Sequence, residues 1–442
     1  LGLVGSEMCI RDSDLLEGKT VKTHVLYGKS EVEVEVPDDS TVIEPQNIEA
    51  LEDYTSAIQN VLRHPTGSKP LKELVNKDDI VSIVISDITR PTPNHILVPL
   101  LIEELNHVPR ENFVIINGTG THRDQTRDEL IQMLGEDIVD SVKIVQNHCN
   151  EKENLTKVGH SKYGCDAYLN KDYVASDFKI VTGFIEPHFF AGFSGGPKGI
   201  MPGIAGLETI QTFHNAKMIG DPRSTWGNLE DNPVQDMARE VNKMCKPNFM
   251  LNVALNKDKQ ITAAFGGDVF EAHKEGCAYV KEHAMFKCDD RFDVVIASNS
   301  GYPLDQNLYQ TVKGMSAASK VVKKDGNIIM VSECADGFPD HGKFAEIFKM
   351  ADTPQGILDL IHDPNFSEVD QWQVQKQASI QTFANVYVYS ELTDQQLKDS
   401  MLNPTSNIEK TIADLEEQYG HKLSIGVMPQ GPLTIPYVED ED

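Results

Sequence analysis

The sequence predicts an α/β protein: two α/β domains with largely parallel sheets and an active-site cleft between them. Three observations lead there. Apolar runs of strand length alternate with segments of helical spacing, the pattern of parallel sheets covered by helices. That alternation restarts beyond residues 285–291, where KCDDRF interrupts a helical stretch. A chain of 442 residues is also too long for one compact core.

The elements follow in order. LGLVGSEMCIRDS, residues 1–13, fits nothing downstream and lacks the basic start and apolar run of a secretory signal. It reads as a non-native leader and is set aside with Cys9. THVLYGKSEVEVEVPDD (23–39) alternates apolar and polar residues, as a half-buried hairpin does. DDIVSIVISD (78–87), NFVIING (112–118), SVKIVQN (141–147) and DFKIVTGFIEP (177–187) are expected strands. NHILVPLLIEEL (94–105) and RDELIQMLG (127–135) are expected helices among them, with further helices over LETIQTFHNAKMI (207–219) and PVQDMAREVNKMC (233–245). Strands FMLNVALN and QITAAFG and a helix over 268–286 complete an N-terminal domain, residues 14–287. FDVVIASNSG (292–301), NIIMVSECADG, NVYVYSEL and KLSIGVMPQG carry a second series, residues 288–442.

Composition narrows the function classes. Forty basic against 68 acidic residues leave a net charge of −28, opposite to the basic footprint a nucleic-acid binder needs. No apolar run approaches the roughly 20 residues that span a bilayer. The seven cysteines are scattered without a CxxC pair, which suits reduced thiols of a cytoplasmic protein.

The unusual residues gather just after strands, where ligands bind in open α/β sheets. SDITRPTPNH (86–95) presents Asp87 and Arg90, and its prolines delay the next helix. NGTGTHR (117–123) offers a glycine- and threonine-rich turn, expected to act as an anion nest, beside His122. KIVTGFIEP delivers His188, which opens HFFAGFSGGPKGIMPGIAG, with six glycines and two prolines around Lys198. In the second domain, Tyr309, Gln310 and Lys313 sit at an expected helix start. Singly these features have plainer readings, as an ion pair, capping residues, helix surface or a tight crossing. Jointly, at strand ends of one chain, they point to a polar small-molecule site.

Standard signatures fail. A phosphate P-loop is ruled out by Pro197 before Lys198 and Gly199 after it. The third glycine of a dinucleotide fingerprint is replaced by Arg123, and no HExxH occurs. A lysine in such backbone invites a covalently attached cofactor, with pyridoxal phosphate as the familiar case.

SDITRPTP, NGTGTHR, EPHFFAGFSGGPKGIMPGI, FHN and LYQTVKG, in this order, closely resemble the nickel-pincer lactate racemase family, from about residue 20 to the end of the chain. The resemblance implies a cofactor of nickel held by a pyridinium-3,5-bisthiocarboxylic acid mononucleotide, covalently attached through Lys198, with His214 as metal ligand. It implies His122 and His188 as the acid/base pair, and Arg90, Tyr309, Gln310 and Lys313 as substrate-binding residues. Asp87, Thr89, Gly118, Gly120 and Trp372 would border the cofactor, Asp87 also orienting Arg90. The implied activity is inversion at C2 of a 2-hydroxy acid, lactate first, by proton-coupled hydride transfer through a keto acid. The implied partners are a small 2-hydroxy acid and the proteins that make and load the cofactor, with no nucleic acid and no membrane.

The residue types suit that chemistry. The α-proton of a hydroxy acid is too weakly acidic for direct abstraction, whereas its hydroxyl proton is within reach of an imidazole with pKa near 6.5. Arg, Lys and Gln can fix a carboxylate. Malate, longer hydroxy acids and sugar acids stay open as substrates, because Phe189 and Phe190 read equally as side-chain pocket or core. A pyridoxal-phosphate racemase and a non-catalytic cofactor-binding protein stay open as other classes.

Overall fold

The computed structural model describes residues 19–46, 48–338 and 342–438; the leader expected over 1–13 lies outside the described residues. In chain order its strands begin with β1 (Thr20–Tyr27), β2 (Ser30–Pro37) and β3 (Thr41–Val42). β4 (Val81–Ser86), β5 (Phe113–Gly118), β6 (Lys143–Gln146), β7 (Leu155–His160) and β8 (Asp166–Asn170) follow. Next come β9 (Phe178–Phe184), β10 (Pro187–His188), β11 (Gly192–Phe193), β12 (Phe249–Leu255) and β13 (Ile261–Gly267). The last are β14 (Met285–Cys288), β15 (Phe292–Ser298), β16 (Val322–Val331), β17 (Asn385–Tyr389), β18 (Asn403–Pro404), β19 (Ile425–Met428) and β20 (Ile435–Val438).

Two six-stranded sheets organise the molecule. The first runs β13-β12-β9-β4-β5-β6, parallel except for the antiparallel β12–β13 pair. Its central strands are buried on both faces, which is why VSIVIS and FVIING read as unbroken apolar runs. The second runs β18-β17-β16-β15-β19-β3 and is parallel throughout.

The N-terminal hairpin packs away from the sheet that follows it in sequence. The expected alternation is there, and β1 pairs antiparallel with β2. Its apolar face, Val25, Val34 and Val36, is however buried with Val294, Ile296 and Ile329 of the second sheet, and β3 pairs with β19 of that sheet. β3 therefore adds an edge strand to the second sheet, while the separate β1–β2 hairpin buries its valines against that sheet's apolar residues.

Two further features touch the site. The helix expected over 207–219 is two helices, Leu207–Phe213 and Ala216–Gly220, because the Asn215 side chain caps the second by accepting the Met218 N–H at 2.9 Å. The glycine-rich stretch contains the β10–β11 pair and a one-turn helix, Pro197–Ile200, that carries Lys198. Pro197 fits there because a first-turn residue needs no N–H donor. No helix among the described residues is long and apolar enough to cross a membrane.

Candidate active site

Three adjacent strands of the first sheet, in the order β9-β4-β5, end at one edge. β9 leads to His188, β4 to Asp87 and Arg90, and β5 to His122. With strands spaced by about 4.8 Å, the two flanking chain ends stand about 10 Å apart, room for a small molecule above the central strand.

Asp87 organises the β4 and β5 ends. Its Oδ2 accepts from His122 Nδ1 at 2.7 Å and its Oδ1 accepts from Thr89 Oγ1 at 2.7 Å. The carboxylate is 3% exposed. Burial works to raise its pKa, but the bonds from His122 and Thr89, with Arg90 nearby, outweigh burial and hold it below the usual carboxylate value. Asp87 also accepts the Arg90 backbone N–H at its own carbonyl at 3.1 Å, and the Arg90 charge helps keep its carboxylate ionised. The His122 ring is half exposed, and its Nδ1 side is committed to the Asp87 carboxylate.

In the turn after β5, three backbone N–H groups are bonded within the protein. The Gly120 N–H donates to Gly203 O at 2.9 Å, His122 N–H to Thr119 O, and Thr119 N–H to Asn117 O. Gly118 is required by packing, since a Cβ there would stand 3.0 Å from Ile85 O. Gly120 has φ +58, yet a Cβ would meet nothing nearer than Pro202 O at 4.0 Å. Its free side faces open space.

His188 sits where β10 pairs with β11, its ring stacked on Phe189 at 5.1 Å and edge-on to Phe190 at 4.4 Å. Phe190 is the hub of this wall: Lys198 Nζ stands 5.4 Å over its ring and the His214 ring lies 5.5 Å away. Burial, then the charges of Lys198, Arg90 and Lys313, push the His188 pKa well down. Burial, then Arg90, does the same to Lys198, so its amine is biased toward the uncharged, nucleophilic form. Lys313 is brought to about 8 by burial and Arg90. His188, Lys198 and Lys313 are each partly buried.

His214 lies in the break between two helices. Its Nδ1 bonds the Ile210 carbonyl at 3.1 Å, which leaves Nε2 as the available lone pair, and burial lowers its pKa to about 3. From the second sheet's side, Trp372 places its ring 5.0 Å from His214 and donates its indole N–H to Tyr309 Oη at 3.1 Å. Tyr309, Gln310 and Lys313 share the first turns of helix Leu308–Ala318, capped by Asn307, whose Oδ1 accepts the Gln310 N–H at 3.1 Å. The 5.0 Å approach of the Trp372 and His214 rings brings elements beside the two sheets together at this wall.

Sequence reasoning missed Glu186. It directly precedes Pro187 and His188, and burial raises its pKa while Arg90, Lys313 and Lys198 pull it back. Its position between the strand and His188 was a signal available in EPH.

These features define a class: a two-sheet α/β protein with a lysine loop, flanking imidazoles and Arg and Lys side chains near them. Residues 27–227 match the lactate racemase N-terminal domain and residues 288–435 the lactate racemase C-terminal domain. The chain belongs to the lactate racemase family. It is 37% identical over 380 residues to the lactate racemase of Lactiplantibacillus plantarum, covering 85% of this chain and 89% of that one. It is 34% identical over 417 residues to the lactate racemase of Thermoanaerobacterium thermosaccharolyticum, covering 92% and 97%. The apoprotein structure of a lactate racemase from T. thermosaccharolyticum superposes with a TM-score of 0.88 at 33% identity, covering 94% of this chain and all of that one. A Thermotoga maritima protein at 19% identity, TM-score 0.66, shares the fold.

Proposed function

We propose that this protein inverts C2 of a 2-hydroxy acid, with lactate as the leading substrate, using the nickel-bearing pyridinium mononucleotide tethered to Lys198. Family membership and the names of the two relatives support the activity. The observation that carries it is the strand order, which sets Arg90 between the chain ends bearing His188 and His122.

The donor set fits the cofactor. Among the described residues no three His, Cys, Asp or Glu side chains are grouped to hold a metal ion, so the chain offers His214 Nε2 and the remaining donors would arrive with the nucleotide's sulfurs. Lys198 offers an amine that burial biases toward its uncharged form, with Phe190 as an apolar wall beside it and Trp372 beside His214. When bound, the group supplies a reversible acceptor for the C2 hydrogen with its electron pair, so the substrate passes through the flat keto acid.

The chain does the rest. Arg90, Lys313 and Gln310 hold the carboxylate, and Tyr309, fixed by Trp372, closes that side. His122 takes the hydroxyl proton at Nε2, and the resulting imidazolium is stabilised by Asp87. His188 serves the opposite face. Proteins that make and load the cofactor, in the cytoplasm, are the expected partners.

The test is chiral chromatography of D- and L-lactate incubated with cofactor-loaded protein: each enantiomer should lose optical purity, and retention of purity by every 2-hydroxy acid tried rejects the activity. His122→Ala and His188→Ala should each abolish racemisation with nickel content unchanged. Lost nickel in either variant refutes the assigned role.

A further inference from the structure

The backbone that carries Lys198 is held from behind by three side chains of three different elements. His273 Nε2, on helix Glu271–Ala284, donates to Ser194 O at 2.8 Å. Asn252 Oδ1, on β12, accepts the Gly196 N–H at 2.7 Å. Asn242 Nδ2, on helix Pro233–Met244, donates to Pro197 O at 2.9 Å. All three side chains are 0% exposed. We propose that His273, Asn252 and Asn242 are positioning residues that set where Lys198 stands, and thereby govern capture of the cofactor; this rests on Lys198 being the tether.

Two observations separate this from ordinary satisfaction of a buried loop. The fit is tight: a Cβ at Gly195 would stand 2.5 Å from Asn252 Oδ1, and one at Gly196 would stand 2.5 Å from His273 Cγ. The loop can pass only as glycine, at φ +74 and +48, so its place is dictated by the clamp. The clamp is also costly. His273 Nδ1 and Asn242 Oδ1 are buried without a partner, a penalty an apolar residue of similar size would avoid. The bond each makes to the loop is the compensating return. The same unit reaches His188, because Ser194 donates its N–H to Glu186 O and accepts the Glu186 N–H at Oγ, both at 2.9 Å. Tether and proposed proton carrier therefore share one braced segment.

The test compares His273→Gln, whose side-chain amide can replace the Nε2 donor, with His273→Met, which fills similar volume without one. The apo-protein is incubated with the nickel-pincer mononucleotide, and adduct formation at Lys198, in which the amine nitrogen joins a thiocarboxyl carbon as a thioamide and the carboxyl oxygen leaves as water, is followed by intact mass. Amide hydrogen exchange of residues 195–199 and the thermal midpoint are measured on the same samples. The Met variant should form adduct at least about tenfold more slowly and exchange these amides about tenfold faster, with Gln within about twofold of wild type. Wild-type behaviour of Met overturns the proposal. So does a Gln variant as slow as Met, or adduct loss that merely tracks a lower midpoint in both. If the wild-type chain itself takes no adduct, the tether reading fails, and the exchange contrast alone judges the clamp: faster exchange in Met only sustains it, and equal exchange overturns it.

Discussion

Asp87 illustrates what one residue contributes and how little of it is local. It was legible as a charged residue at a strand end, but its partner was not, since His122 lies 35 residues on and arrives only because β5 pairs beside β4. With Asp87 as partner, His122 is a base of fixed tautomer. Asp87→Asn should keep the shape and remove the charge that stabilises the imidazolium, slowing racemisation by about a hundredfold with nickel content unchanged. Initial rates beside metal analysis check this, and a rate within twofold of wild type, given about twofold assay scatter, contradicts it. Gly118 and Gly120 looked alike in the sequence and differ in the structure. Gly120→Ala should cost only about 1–2 kcal/mol, the penalty of a left-handed φ, because nothing crowds its Cβ. If that open space belongs to the cofactor, the variant should fold, as judged by denaturant midpoint, and still load poorly.

At the scale of elements, strands and helices were legible wherever a single periodicity ran unbroken, as in VSIVIS and FVIING. The break at His214 was not, because apolar spacing continues across FHNAKMI and Asn215 resembles any polar helix residue. Its side chain closes the second helix and leaves His214 in the gap, with Nδ1 on Ile210 and its ring beside Trp372. As the proposed nickel ligand, His214 in this gap would be aimed by the caps on either side. Asn215→Ala should therefore lower stability by about 1 kcal/mol and loosen the aim of His214. Cofactor-loaded Asn215→Ala should lose nickel faster than wild type during dialysis, and equal retention would show that the cap does not aim the ligand.

At the scale of the whole molecule, strand order and the crossing of residues 20–42 to the second sheet were illegible, because both depend on which apolar faces remain uncovered after the rest has packed. The same long-range packing buries histidines that the sequence shows only as polar letters. His273, fully buried behind the lysine loop, has its pKa lowered by burial from 6.5 to about 4. Its folded value lies below its unfolded one, so below pH 6.5 the unfolded chain takes up a proton that the native chain refuses. Stability should fall from that pH down to about pH 4, where the native ring also protonates, by about 3 kcal/mol in total. Net charge argues in the other direction. At −28 the native protein repels itself, and titrating carboxylates in acid relieves that repulsion. A loss of stability that starts near pH 6.5 is therefore the signature of buried imidazoles rather than of global charge. Urea unfolding of the apo-protein from about pH 7 to about pH 4.5 should show this loss in the wild type and a shallower one in His273→Gln, by close to one proton in slope. Parallel curves for the two proteins would mean that His273 is protonated in the native state, and its bond to Ser194 would then have to be carried by an imidazolium.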